Sequence, residues 1–163
     1  MQENEKNYAR EWFEYGRAHK DDRVMHFMMM WLAFNWLYNQ ERHSSVITTE
    51  TAAIRSYCER HQQILMNYYP YASPSISCFL IDPVQDAISG SPRNDLFGDL
   101  KDHTSTPLKR LQALLLTIYQ VRCNLFHGSK SLHIQRDMEL VKASGDILEG
   151  YLKEILEGNS VIW

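Results

Sequence analysis

The chain has 163 residues, long enough for one hydrophobic core and too short to argue for two, so a single domain over 1–163 is expected. Hydrophobic residues make up 44% and charged residues 23%, an ordinary globular composition, and the net charge of −3 argues against a broadly basic nucleic-acid-binding surface. The three cysteines, Cys58, Cys78 and Cys123, are an odd set without framework spacing and point to a reducing compartment.

The N-terminus "MQENEKNYAR" is charged and does not read as a secretory signal. The most apolar run, "VMHFMMMWLAFNWLY", is broken by His26 and Asn35 and is too short to span a bilayer, so a cytoplasmic protein without a membrane anchor is expected. The first predicted helix runs roughly from Asn4 to His19. A second follows "KDD", with Asp21 or Asp22 as N-cap, and continues to about Arg42. Its stripe Phe27, Met30 or Trp31, Phe34, Tyr38 follows helical spacing and reads as core.

A third helix is predicted from about Thr49 to Met66. From Asn67 to Thr106 the segments "PYASPSISCF", "IDPV" and "SGSPRND" are turn chemistry, and one or two short helices are expected between them. "TSTPLKRLQ" opens a fourth helix with Thr106 as N-cap and Pro107 at the first helical position; Gly128 suits the left-handed residue that ends it. The turn "GSKS" leads to a fifth helix, about His133 to Glu157, with the stripe Ile134, Met138, Val141, Leu148, Leu152 and Ile155. So short a connection predicts that the fourth and fifth helices are antiparallel neighbours. The expected fold is an all-α antiparallel bundle of about five main helices, with short extra helices in 67–106.

The fourth helix is apolar on two sides. Leu111, Leu114, Ile118, Val121 and Leu125 form one seam; Leu115, Leu116, Tyr119, Cys123 and Phe126 form a second. Either the 67–106 segment or a second copy of the chain can cover that second face, and a two-fold dimer is the economical expectation. Arg122 and His127 flank it, about 140° apart on the helical wheel. Between Lys101 and Lys142 seven Lys/Arg stand against three Asp/Glu, which makes this third +4 and leaves the remainder at −7.

An Arg followed by His after four to six residues is weak by itself, since about one chance match is expected at this composition. A second match, Arg55 to His61, is indeed present. The surrounding phrase, "YQVRCNLFHG" at the end of a long helix, resembles the HEPN domain family (higher eukaryotes and prokaryotes nucleotide-binding), in which an Arg-x4-6-His motif lies near the end of a late helix. "WLAFNWLY" in the second helix resembles its Apea-like branch, and the likeness spans roughly Val24 to Leu156.

The resemblance implies a HEPN-like bundle, usually dimeric, whose paired motifs form a metal-independent RNA-cleaving site. It further implies that Arg122 holds the scissile phosphate and that His127 moves protons, with no cofactor. These residue types suit attack by the RNA's own 2′-hydroxyl, which needs a base, a fixed cation for the phosphorane charge and an acid for the leaving oxygen. Arginine offers a permanently charged fork, and histidine changes protonation near neutral pH. The position after the arginine is typically polar in the family and here is Cys123; Asn124, one residue later, is the candidate for orienting His127. Lys130, just past Gly128, is the candidate for contact with the RNA backbone. A toxin–antitoxin or defence role, with an antitoxin or regulatory protein as further partner, fits this chemistry. The rival expectation is a non-catalytic HEPN-like module that binds a partner protein, nucleotide or RNA.

Other candidates are weaker. Cys123 and His127 are four apart but show no third group for a thiolate–imidazole nucleophile. Cys58 and His61 offer two ligands where zinc wants four, so no metal site is expected. Tyr68, Tyr69 and Tyr71 can stack on bases or simply pack, and "GSPRNDLFG" lacks the lysine and spacing of a phosphate loop.

Overall fold

The computed structural model describes residues 3–44, 46–67, 74–128 and 134–157, and every regular element among them is helical. The order is α1 (Glu3–Ala18), α2 (Arg23–Ser44), α3 (Glu50–Arg60), α4 (Gln62–Asn67), α5 (Pro74–Ser77) with a 3-10 turn at Cys78–Leu80, α6 (Asn94–Lys101), α7 (Pro107–Phe126) and α8 (Gln135–Leu156). Five long helices with short ones between them make the all-α bundle that the periodicity predicts.

Local chemistry sets the ends. The Asp22 carboxylate accepts from the backbone N–H groups of Val24 and Met25 at 3.1 and 3.0 Å, which makes it the N-cap of α2. Thr49 caps α3 by accepting from Ala52, and Thr106 caps α7 by accepting from Lys109, each at 3.2 Å. Gly128 closes α7 with φ +69°, the left-handed conformation a side chain would disfavour.

One expectation is corrected. The third predicted helix is broken at His61, whose backbone leaves helical geometry (φ −106°, ψ 19°) while its ring rests 4.4 Å from that of Tyr57. Its carbonyl then accepts from Leu65 and helps start α4. α7 and α8 are in contact, as the short connection predicts, though α8 packs mainly on α2 and α7 mainly on α6 and α3. The expected start of the fifth helix at His133 lies outside the described residues.

The preference of α8 for α2 has a steric cause. No residue from Val24 to Gln40 of α2 is exposed, so this helix needs neighbours on all sides. Glycines allow two of them to come close. A β-carbon on Gly16 of α1 would stand 2.9 Å from Met29 Cβ and 2.7 Å from Met30 Cε. One on Gly145 of α8 would stand 2.8 Å from His26 Nδ1 and 3.3 Å from Phe27 Cα. α2 is therefore gripped from both flanks at the level of His26 to Met30, and the core continues from Ala9 to Leu156 as one cluster.

Gly145→Ala is expected to lower the unfolding midpoint, because overpacking costs about 1–3 kcal/mol and the better helix former returns only about 1 kcal/mol. In a His26→Ala background the obstructing ring is gone and the penalty should shrink. A double-mutant cycle measured by urea unfolding checks this coupling.

Candidate functional site

α7 is buried almost all round from Leu111 to Val121, and each side meets a different part of the chain. Leu115 and Leu116, from the second apolar face, are fully covered within one copy, so a partner is not required to bury them. Gln112 donates to the Arg55 carbonyl and to Glu59 on α3, at 3.2 and 3.3 Å. Gln120 bridges two groups: its carbonyl oxygen accepts from Arg93 at 3.1 Å and its amide donates to Asn124 at 3.0 Å. The remaining side, Tyr119, Arg122 and Cys123, faces α2 and the start of α3.

On that side the two short sequence motifs meet. Trp31 and Tyr38, the first and last residues of "WLAFNWLY", lie 5.9 Å apart by ring centroids, and Trp31 is 5.9 Å from Tyr119. The Tyr38 hydroxyl donates to the Glu50 carboxylate in a short hydrogen bond. Burial, then the Glu50 contact, pushes the Tyr38 phenol above its ordinary range; burial, then the Cys123 thiol, does the same for Tyr119. Both phenols therefore stay neutral.

Arg122 lies along this wall. Its guanidinium carbon is 5.8 Å from the Trp31 ring centroid and 4.7 Å from that of Phe126, and Nη1 stands 3.9 Å from the Cys123 sulfur. Its Nε is buried with no hydrogen-bond partner, and no carboxylate pairs with it among the described residues. A cation positioned by aromatic faces rather than by an acid keeps its charge and most of its donors for an incoming anion.

His127 is exposed as the C-cap residue of α7, its backbone N–H donating to the Cys123 carbonyl at 3.0 Å. Arg122 and His127 thus share the last turns of one helix, with no hydrogen bond between their side chains. Asn124 goes elsewhere. It is 2% exposed, donates to the Gln85 carbonyl at 2.8 Å and accepts from Gln120, so it ties α7 to the loop before α6. Its side chain thus has a structural part in the bundle, while on the helix it stands three residues before His127, on a neighbouring row. Lys130 and the tyrosines 68, 69 and 71 lie outside the described residues.

Trp31 and Tyr38 are buried core residues, as their stripe predicts, and they also wall this side of α7; the part of Glu50 was not foreseen. The signal for the first two was present in the resemblance itself. Glu50 follows a helix cap and carries no motif. Burial pushes the Cys58 thiol up to about 12 and the Cys78 thiol up to about 11, which keeps both protonated.

Among the described residues one trio could close on a metal: His26, Asp146 and Glu149, with ligand atoms within 4.8 Å of one another. Its carboxylates are already held. Lys20 Nζ is 2.6 Å from Glu149, Lys142 Nζ is 2.6 Å from Asp146, and Arg17 stands 3.9 Å from Glu149. Three cations facing two carboxylates leave no excess negative charge, and the cluster reads as an ionic tie between α1, α2 and α8.

Two outcomes follow from these placements. Asn124→Ala should cost about 1–3 kcal/mol in urea unfolding, the penalty for stranding buried polar partners. His26, which faces Lys20, Asp146 and Glu149, has its pKa lowered, chiefly by burial. As pH falls below the ordinary histidine value of about 6.5, the unfolded chain takes a proton that the folded one resists, so stability should fall with acid. His26→Gln should flatten that part of the thermal-midpoint profile.

Among the described residues no helix is long and apolar enough to cross a membrane. Comparison of the chain with protein-family models, with curated proteins and with solved structures gave no match.

Proposed function

We propose that the protein is a HEPN-type endoribonuclease that cleaves RNA without a metal, through attack of a 2′-hydroxyl on the adjacent phosphate, and that it works as a homodimer. The observation that carries this reading is the convergence of the two family-like segments on one unpaired cation: "WLAFNWLY" supplies the wall against which Arg122 of "YQVRCNLFHG" lies.

In the proposed reaction Arg122 binds the non-bridging phosphate oxygens and offsets charge as the phosphorane forms. A neutral His127 imidazole takes the 2′-hydroxyl proton. The 2′-oxygen bonds to phosphorus, the bond to the next nucleotide's 5′-oxygen breaks, and that oxygen takes a proton from the imidazolium of the second copy's His127. The products are a 2′,3′-cyclic phosphate and a 5′-hydroxyl, with atoms and charge balanced. The exposed position of His127, at the margin of α7 and beside the open Phe126, suits a site shared between two copies. A role in a toxin–antitoxin or defence system, in a cytoplasmic setting, fits such an activity.

A second reading is a non-catalytic module of the same type that binds RNA, a nucleotide or a partner protein. It is favoured by one observation: among the described residues no hydrogen bond orients the His127 side chain.

The two readings part on one assay. Parent, Arg122→Ala and His127→Ala are incubated with single-stranded RNA in EDTA. The nuclease reading expects cleavage by the parent and a loss of about 100-fold or more in each variant, with unchanged folding and oligomeric state. Equal cleavage by all three rules that reading out, and binding without cleavage by the parent selects the module.

A further inference from the structure

The last turn of α7 presents Phe126 at 60% exposure, while the apolar residues that precede it on that helix from Leu111 are buried or half-buried. Exposure alone would mean little, because single apolar side chains are common on protein surfaces. Phe126 differs in its company. The Arg122 guanidinium lies 4.7 Å from its ring centroid, that cation has no carboxylate partner among the described residues, and the neighbouring His127 and Gly128 are exposed.

A cation and an aromatic face set side by side match the two ends of one nucleotide. The phosphate carries the charge, and the base, a ribose away, carries a flat π surface. Resting on the nuclease reading above, we propose that Phe126 is a stacking platform for one nucleobase adjoining the phosphate held by Arg122. The substrate is then single-stranded, because a base inside a duplex cannot be splayed onto a side chain.

Little discrimination among bases is expected. Every base has a face to stack, whereas reading base edges takes amides, carboxylates or guanidinium groups aimed at them. The amide in this turn, Asn124, is buried and bonded to Gln85. Phe126 is thus a positioning residue: it sets where the chain lies relative to Arg122 and takes no part in proton transfer.

The test compares two probes at fixed salt: a single-stranded RNA oligomer and a ribose–phosphate oligomer of equal length without bases. The parent is expected to bind RNA about ten-fold more tightly than the base-free oligomer. Phe126→Leu should lose that preference, and Phe126→Trp should keep it. Leucine retains apolar bulk, so packing against the protein interior would survive it, whereas a stack would not. Sedimentation and cleavage are followed on the same samples.

A Phe126→Leu protein that binds RNA like the parent, or a parent that binds both probes equally, overturns the platform; the nuclease reading then still stands or falls on Arg122→Ala and His127→Ala. Conversion of a dimer to a monomer by Phe126→Leu makes the ring an assembly contact and also overturns it. A parent that binds neither probe removes platform and nuclease together.

Discussion

The close meeting of α2 with α8 at Gly145 sets the height of everything that follows along α2. His26 fills the space the glycine leaves, and the next turns of the same helix carry Trp31, Phe34 and Tyr38 to fixed levels. Because every residue between Val24 and Gln40 is buried or half-buried, α2 has no free side onto which it can slip or rotate. The aromatic wall beside Arg122 inherits its position from that contact. The ionic tie of Lys20 and Arg17 to Glu149 holds α1 over the same end, close to the surface where each pair contributes modestly.

Arg122 illustrates how packing can hold a charge without cancelling it. An acidic partner would fix the guanidinium more tightly but would occupy its fork and neutralise it. Two aromatic faces are weaker, on the order of 0.5–2 kcal/mol each, and they leave the in-plane donors available. The nearby phenols are also prevented from becoming anions, because Tyr38 and Tyr119 are kept neutral mainly by burial. Glu50 is drawn to Tyr38 rather than to the arginine. The outcome is a patch with a positive group, two neutral phenols and an open end at Phe126 and His127.

How much of this was legible in the sequence depends on the range of the interactions. Asp22, Thr106 with Pro107, and Gly128 announce their helix ends because caps and left-handed turns are decided by adjacent residues. The break at His61 was not legible, since nothing in "RSYCERHQQIL" disfavours a continuous helix and the ring contact with Tyr57 accompanies the change. Nor was the fate of Asn124, whose acceptor lies 39 residues away in a loop. The second face of α7 shows the same limit. Its apolar pattern says that Leu115 and Leu116 must be covered, yet whether by the same chain or another copy is settled only by tertiary packing, and the chain covers them itself. Arg122 and His127 could be named as a pair from the phrase around them, not from spacing alone, while the wall behind Arg122 required α2 to be placed.

The two firm ends of α7 carry a consequence for how this protein tolerates changes of length. Thr106 fixes where the helix begins and Gly128 where it stops, so the residues between them act as a ruler. One inserted or deleted residue before Arg122 would rotate everything beyond it by about 100°. Arg122 would leave the Trp31 ring, and Asn124 would leave its acceptor in the loop. Natural variation in chain length should therefore gather in the connecting loops, and α7 should keep its residue count even where its side chains drift.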